Sequence, residues 1–433
     1  MYDVLIVGVG AQGVSAAYHL AKAGQRVLGL ERYSIAHANG SSHGETRITR
    51  LAYWEHPAYV PLLRRSFTLF AELEAEAGEK LFHQTGSMDV GPETEATFQG
   101  SLLSCQTHGL EHEVLTPEQL SARFPAWRVP SHYRACFQPA GGMLFPEKIV
   151  AATARLARKH GAELRENTEV TDVIPTGEGV TVLTSDGQRF RGRKVLLCAG
   201  AWLGSLVAKS ALGLSSPRLR RLSAMLRPER QVVTWYEPTA EALSQSLFDP
   251  DRHPVWVATV SRAHYYGFPL LAGGSPGVKI GRYHHAFESL DTEGQLNDLQ
   301  GRQRITQSDR TYTDQFMQSM FRGLKAAPSD PVLKSSTCMF TNTPDEHFII
   351  DPAVDSNFPQ VLLVSACSGH GFKFSSVIGE IVAGFVTKGA EEVEKELPVR
   401  WLDAGRLLGD RESMQTLDPH IEMKAKQIAL SKL

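Results

Sequence analysis

Cysteine is scarce and unpatterned in this chain of 433 residues. Cys105, Cys136, Cys198, Cys338 and Cys367 are odd in number, far apart, and contain no C-x-x-C pair. That excludes a disulfide framework and a zinc module, and it points to a reducing compartment. Each thiol is by default an inert core residue. Excess charge of either sign is also lacking: 45 Lys and Arg face 47 Asp and Glu, a formal net charge of -2. A balance so even gives no global attraction to nucleic acid or to an anionic membrane. No apolar run approaches the ~20 residues of a membrane helix. A strand pattern begins at Tyr2, where a signal peptide would stand. There are no internal repeats or heptads, and no His, Cys and carboxylate cluster with ligand spacing, so no metal is implied. What is present is ordinary globular usage, 42% hydrophobic and 21% charged, in a chain long enough for two domains of ~100–200 residues.

The strongest local signal opens the chain. Tyr2-Asp3-Val4-Leu5-Ile6-Val7 reads as a buried strand and runs into Gly8-Val9-Gly10-Ala11-Gln12-Gly13. Helical spacing follows through Ala16, Ala17 and Leu20 to Gly24, and a second apolar strand, Val27 to Leu30, ends at Glu31. This is a whole βαβ context for a dinucleotide. Gly8 permits the tight turn, Gly10 lets the backbone approach a pyrophosphate, and Gly13 lets helix and strand pack closely. The helix N-terminus faces the phosphates, and Glu31 is placed for the adenosine ribose. The motif by itself fits FAD or NAD.

Similar pieces recur downstream. Val180 to Phe190 reads as a hairpin around Asp186-Gly187, and Val195 to Cys198 as a buried strand closing on Ala199-Gly200-Ala201-Trp202. Val361 to Val364 is another strand, followed by a helix over 376–386. The expected architecture is α/β plus α+β, a discontinuous Rossmann-like dinucleotide domain with an inserted mixed-sheet domain. The former spans 1–84, 143–206 and 338–400, the latter 85–142 and 207–337, with a C-terminal helical tail over 401–433. The densest polar cluster, Ser41-Ser42-His43-Gly44-Glu45-Thr46-Arg47-Ile48-Thr49-Arg50, lies shortly after Glu31. It suits close contact with a planar, electron-rich ring and supplies positive charge.

That cluster, Ala199-Gly200-Ala201-Trp202, the run Cys338-Met339-Phe340-Thr341-Asn342-Thr343-Pro344-Asp345-Glu346-His347, and Ser368-Gly369-His370-Gly371-Phe372-Lys373 occur in this order. Together they resemble the family of monomeric sarcosine oxidase, N-methyltryptophan oxidase and pipecolate oxidase, from about residue 2 to about residue 390. The resemblance implies an FAD-dependent amine oxidase of secondary (N-alkyl or cyclic) amino acids. Hydride transfer to flavin N5 gives an imine that hydrolyses, and O2 is reduced to hydrogen peroxide. It implies FAD held covalently through Cys338. It implies flavin contacts from Gly8, Gly10, Gly13, Glu31, Arg32, Ser41, Ser42, His43, Thr46, Arg47, Val170, Gly200, Gly369, His370, Gly371 and Lys373. Arg50 and Lys373 match the pair that holds the substrate carboxylate, a sound clamp in chemical terms, and Tyr266 matches an active-site tyrosine. Lys279 matches a lysine against the flavin face opposite the substrate, where a buried cation stabilises superoxide. His43 and Arg47 are expected to tune the flavin charge and assist its attachment. The implied partners are a small amino acid and O2, without nucleic acid or membrane, and the implied state is a monomer.

Departures from the family pattern fall in the substrate half. Phe340 stands where sarcosine oxidase has a tyrosine. One extra residue after Lys279 leaves either Tyr283 or His284 facing the substrate; His284 is carried as a catalytic candidate. Residues 207–230 resemble an insertion whose arginines, Arg218, Arg220, Arg221, Arg227 and Arg230, form either a solvated face or a rim for a larger or more acidic substrate. Two rival functions keep the fold: a dehydrogenase that passes electrons to a quinone or carrier, and a non-catalytic FAD-binding protein. The chain ends in Ser431-Lys432-Leu433, a peroxisomal address in a eukaryote; a bacterial source implies the cytoplasm.

Overall fold

A computed structural model describes residues 1–326 and 330–410. The last three residues, and the expected helical tail from 411 onward, lie outside the described residues. Two eight-stranded sheets and a small three-stranded sheet organise the chain.

The first sheet is parallel at its centre. Strand Tyr2–Val7 lies between Val27–Leu30 and Arg189–Leu197, and Val361–Ser365 continues the parallel set beyond the latter. Residues 4–7, Val27–Leu30, Val361–Ser365 and the 195–197 end of Arg189–Leu197 are buried on both faces, as their apolar runs require, while Arg189, Arg191 and Arg193 stay exposed. Val4 and Ile6 point to a core shared with the helices Ala11–Lys22, Pro146–Lys159 and Ser375–Thr387. Leu5 and Val7 point to the opposite core. The hairpin at Asp186-Gly187 forms, but its second arm and the buried strand ending at Leu197 are one strand, Arg189–Leu197.

Three expected boundaries move. Residues 207–226 pack on the first sheet: Val207, Leu212, Leu219, Leu222 and Leu226 share a core with Leu5, Val7 and Leu363. An apolar stripe on three short helices finds its partner there. The boundary at 338 cuts a strand, because Val332–Asn342 is one continuous edge strand of the second sheet. Residues 401–410 are not a separate tail: Trp401 and Leu402 are buried in the main core, and Arg406 pairs with Asp345 at 2.8 Å.

The second sheet runs from that edge strand through Arg227–Tyr236, Val278–Arg282, Ala263–Phe268 and Val255–Val260 to Ser87–Pro92, Tyr133–Gln138 and Glu113–Leu115. Its period of two directs Tyr265 to stack on Phe316 at 4.2 Å between centroids, while Tyr266 turns to the other face. The small sheet pairs Arg47–Thr49 with Gly142–Leu144 and anchors the polar loop between the two large sheets. Among the described residues no helix is long and apolar enough to cross a membrane.

Candidate active site

One cavity of about 470 Å³ runs from the carboxyl ends of the parallel strands to the face of the second sheet. At its first end the chain turns at Gly8, whose φ of +92° is left-handed; a Cβ there would stand 2.7 Å from the Cys198 carbonyl oxygen. Gly13 does not line the cavity. Its role is packing, since a Cβ would stand 1.9 Å from the Gly8 carbonyl oxygen. Glu31, buried at the end of the second strand, accepts from the Val9 and Tyr33 amides at 2.8 and 3.1 Å. Gly10, Arg32, Val170 and Gly200 line the same end. Trp202 lies under the Arg32 and Arg302 guanidinium groups, and its indole N–H donates to Asn297.

The polar loop forms the middle of the cavity. Ser41, Ser42, His43, Thr46 and Arg47 all line it. Arg47 donates to the Thr46 and Ser41 carbonyls, each at 2.9 Å, and its Nη2 lies 3.6 Å from the Cys338 sulfur. Burial, with Arg47 adding to it, pushes the His43 imidazole down to about 4. His43 is therefore neutral at pH 7, and the charge expected of it falls to Arg47 alone. Glu147, which the sequence reading did not single out, accepts from the Gly44 and Glu45 amides at 2.6 and 3.0 Å and so shapes the loop.

Lys279 lies behind this loop and not on the cavity wall. Its ammonium donates to the Gly44 and Thr46 carbonyls at 2.7 and 3.0 Å and sits 4.5 Å from the Phe268 ring centroid. Burial, reinforced by Arg47, drives it well below the usual lysine range.

The far end is aromatic and charged. Trp54, His264, Tyr266, Tyr283 and Phe340 line it, with Trp54 stacked on His264 at 4.9 Å. Arg50 is buried; its Nη2 donates to both Glu55 oxygens at 3.1 and 2.9 Å. Burial alone would depress the guanidinium, but Asp89 and Glu55 hold it above its ordinary value. Lys373, also buried, donates to the His370 carbonyl at 2.7 Å, and burial pushes it down to about 7. Gly369, His370 and Gly371 complete this wall. His370 Nε2 donates to the Glu346 carbonyl, so its Nδ1 accepts from the Tyr53 hydroxyl at 2.6 Å.

The structure corrects the assignment of His284. Tyr283 faces the cavity and donates to the Ser368 carbonyl at 2.6 Å. His284, in left-handed conformation, turns away between Glu229 at 2.9 Å and Glu346 at 3.1 Å. The arginines of 207–230 do not line the cavity: Arg220, Arg221 and Arg227 are exposed, Arg218 pairs with Asp410, and Arg230 is buried against Asp309.

The donor set fits an elongated dinucleotide carrying a flat ring system. The Gln12 side-chain carbonyl is buried at the cavity wall with no hydrogen-bond donor among the described residues. Glycine turn, ribose-side carboxylate and cationic loop follow one another along one continuous space.

Comparison with known proteins agrees with this geometry. A family profile described as FAD dependent oxidoreductase (DAO) matches residues 3–384. Monomeric sarcosine oxidase of Bacillus sp. (strain NS-129) is 36% identical over 392 residues, 90% of this chain and 94% of the relative. N-methyl-L-tryptophan oxidase of Citrobacter koseri is 32% identical over 387 residues, 89% of this chain and 94% of the relative. Among solved structures, NikD in its open form, titled an unusual amino acid oxidase, superposes with a TM-score of 0.72 at 22% identity. The match covers 89% of this chain and 94% of NikD, and shows the shared fold.

Proposed function

This chain belongs to the FAD-dependent oxidoreductase family, and from that premise we propose that it oxidises secondary amino acids at a C–H bond beside nitrogen, with O2 as the final acceptor. When bound, FAD supplies the two-electron acceptor for that bond and returns the electrons to O2. The observation that carries the reading is the cavity itself. It joins a dinucleotide turn to a buried Arg50 and Lys373 pair across a wall of aromatic rings.

In this reading Arg50 and Lys373 hold the substrate carboxylate, the guanidinium by a planar fork and the ammonium as a point charge. Tyr266, Tyr283 and Phe340 pack on the remainder of the substrate and exclude water. Phe340 has no hydroxyl and the Tyr283 O–H is spent on Ser368, which leaves the Tyr266 hydroxyl for the substrate and makes the Phe340 and Tyr283 surface suited to an apolar or aromatic substituent. Cys338, half-buried and 3.6 Å from Arg47 Nη2, is the residue for covalent flavin attachment. Lys279, held behind Gly44 and Thr46 and depressed by burial, supplies positive charge for O2 reduction in its protonated form. The cavity is complete within one chain, which supports action as a monomer.

Anaerobic mixing of the oxidised holoenzyme with a panel of sarcosine, N-methyl amino acids, pipecolate, proline and bulkier N-substituted amino acids tests this. Bleaching by one or more members, with peroxide formed on admitting air, is expected. A panel without bleaching removes the amino-acid reading. Rapid bleaching followed by reoxidation only with a quinone analogue removes O2 as acceptor.

A further inference from the structure

Asp89 is a buried carboxylate that the reading above leaves unused. It lies on strand Ser87–Pro92, 0% exposed, and neither oxygen has a hydrogen-bond partner among the described residues. Its nearest cation is Arg50, with Nη1 3.8 Å from Oδ1. The groups that face it are Arg50 and Glu55 from the loop region after Arg47–Thr49, Lys373 from the turn Phe372–Phe374, Ser101 on helix Ala96–His108, and Cys136 on the neighbouring strand. Asp89 does not line the cavity, so it meets a ligand only through Arg50.

Before a ligand enters, Arg50 faces two negative charges, Glu55 and Asp89, and Lys373, pushed down to about 7 by burial, adds a second positive charge only in its protonated form. A substrate carboxylate therefore brings an uncompensated negative charge into a water-poor site, which is costly. Glu55 is tied to Arg50 by two hydrogen bonds. Asp89 makes no hydrogen bond to Arg50, 3.8 Å away, and is held besides by the facing Ser101 hydroxyl, so its negative charge is the less well held of the two.

We propose that Asp89 is a positioning residue that takes up one proton when a carboxylate ligand occupies Arg50 and Lys373, so that substrate and proton bind together. The proton comes from solvent and ends on Asp89, and no bond is broken. Without ligand, the Asp89 carboxylate keeps Arg50 turned toward its counter-charges; with ligand, the protonated side chain leaves Arg50 to the substrate. Burial raises Asp89 to about 6 against the pull of Arg50, which places the empty enzyme in the ionised state at pH 8. The inference rests on the carboxylate clamp proposed above.

Benzoate, a carboxylate without an amine proton to lose, is the probe. Its binding to oxidised holoenzyme is followed by flavin absorbance and by calorimetry at pH 8 in buffers of different ionisation enthalpy. Wild type is expected to take up about one proton per benzoate, with affinity weakening about tenfold per pH unit above Asp89 ionisation. Asp89→Asn is expected to bind benzoate without proton uptake, and about tenfold or more tighter than wild type at pH 8. Infrared difference spectra of wild type should gain a protonated-carboxyl band on benzoate binding, a readout independent of whether Asp89→Asn folds. No uptake by wild type, no such band, or uptake undiminished in Asp89→Asn, which assigns the proton to Lys373, overturns the proposal. Failure of wild type to bind benzoate, or equal binding by Arg50→Gln, overturns the clamp itself and the proposal with it.

Discussion

Single side chains carry the chemistry, and the two buried lysines differ in what surrounds them. Lys373 borders the cavity and has one protein acceptor, whereas Lys279 has carbonyl acceptors on the far side of the polar loop. A cation fixed by carbonyl dipoles behind a loop is suited to stabilise charge that develops late, without touching the amino acid. Lys279→Met is therefore expected to slow reoxidation by O2 about 10²-fold or more while leaving anaerobic bleaching within about threefold, both read by stopped-flow absorbance. An equal loss in the two steps contradicts the separation. Cys338→Ser is expected to yield protein whose flavin is released on denaturation, seen as loss of the fluorescent band on a denaturing gel. Flavin that stays on the denatured variant assigns attachment elsewhere.

At the scale of elements, the junction of first strand and first helix is the least tolerant part of the molecule. Gly13 faces the Gly8 carbonyl so closely that even a methyl group forces the helix off the strand. Gly13→Ala should cost about 2–3 kcal/mol or more and lower the flavin content of purified protein. Gly177, in a surface turn with open space around its Cβ position, is the control, and Gly177→Ala should stay within about 0.5 kcal/mol. Denaturant melts with flavin quantitation check both. Strands of the second sheet obey a different constraint. Side-chain direction there alternates with each residue, and just past the end of Val278–Arg282 the chain turns Tyr283 to the cavity and the left-handed His284 away from it.

Across the whole molecule, His284 links the two sheets. Glu229 belongs to a strand of the second sheet, and Glu346 follows the edge strand on its way back to the first. Burial alone would lower this imidazole, but the two carboxylates hold it up at about 9. A folded-state value above the ordinary 6.5 means the charged pairings stabilise the fold fully below pH 6.5. That contribution declines as pH rises through 9. Its size is at most about 3 kcal/mol. The stability gap between wild type and His284→Gln, from urea melts, should be widest at pH 6 and close between pH 7 and 10. A gap independent of pH would show that the ring acts by packing alone.

Much of the first domain could be read along the chain because its signals are contiguous. Gly8, Gly10, Gly13 and Glu31 occur within one βαβ unit, and the apolar runs around them leave few alternatives. Family membership and FAD dependence followed from long, ordered motifs, and the comparisons bear both out. Cys338, Arg50 and Lys373 could be singled out only through that resemblance, since nothing local sets them apart from other thiols, arginines and lysines. Their meeting in one cavity, the neutral state of His43, the choice of Tyr283 over His284, and the burial of Asp89 beside Arg50 were decided by the tertiary structure. Each depends on groups from strands and loops far apart in sequence. Local pattern encodes which face of an element is buried, while the charge and solvation of a side chain depend on what the folded chain brings within a few ångströms of it.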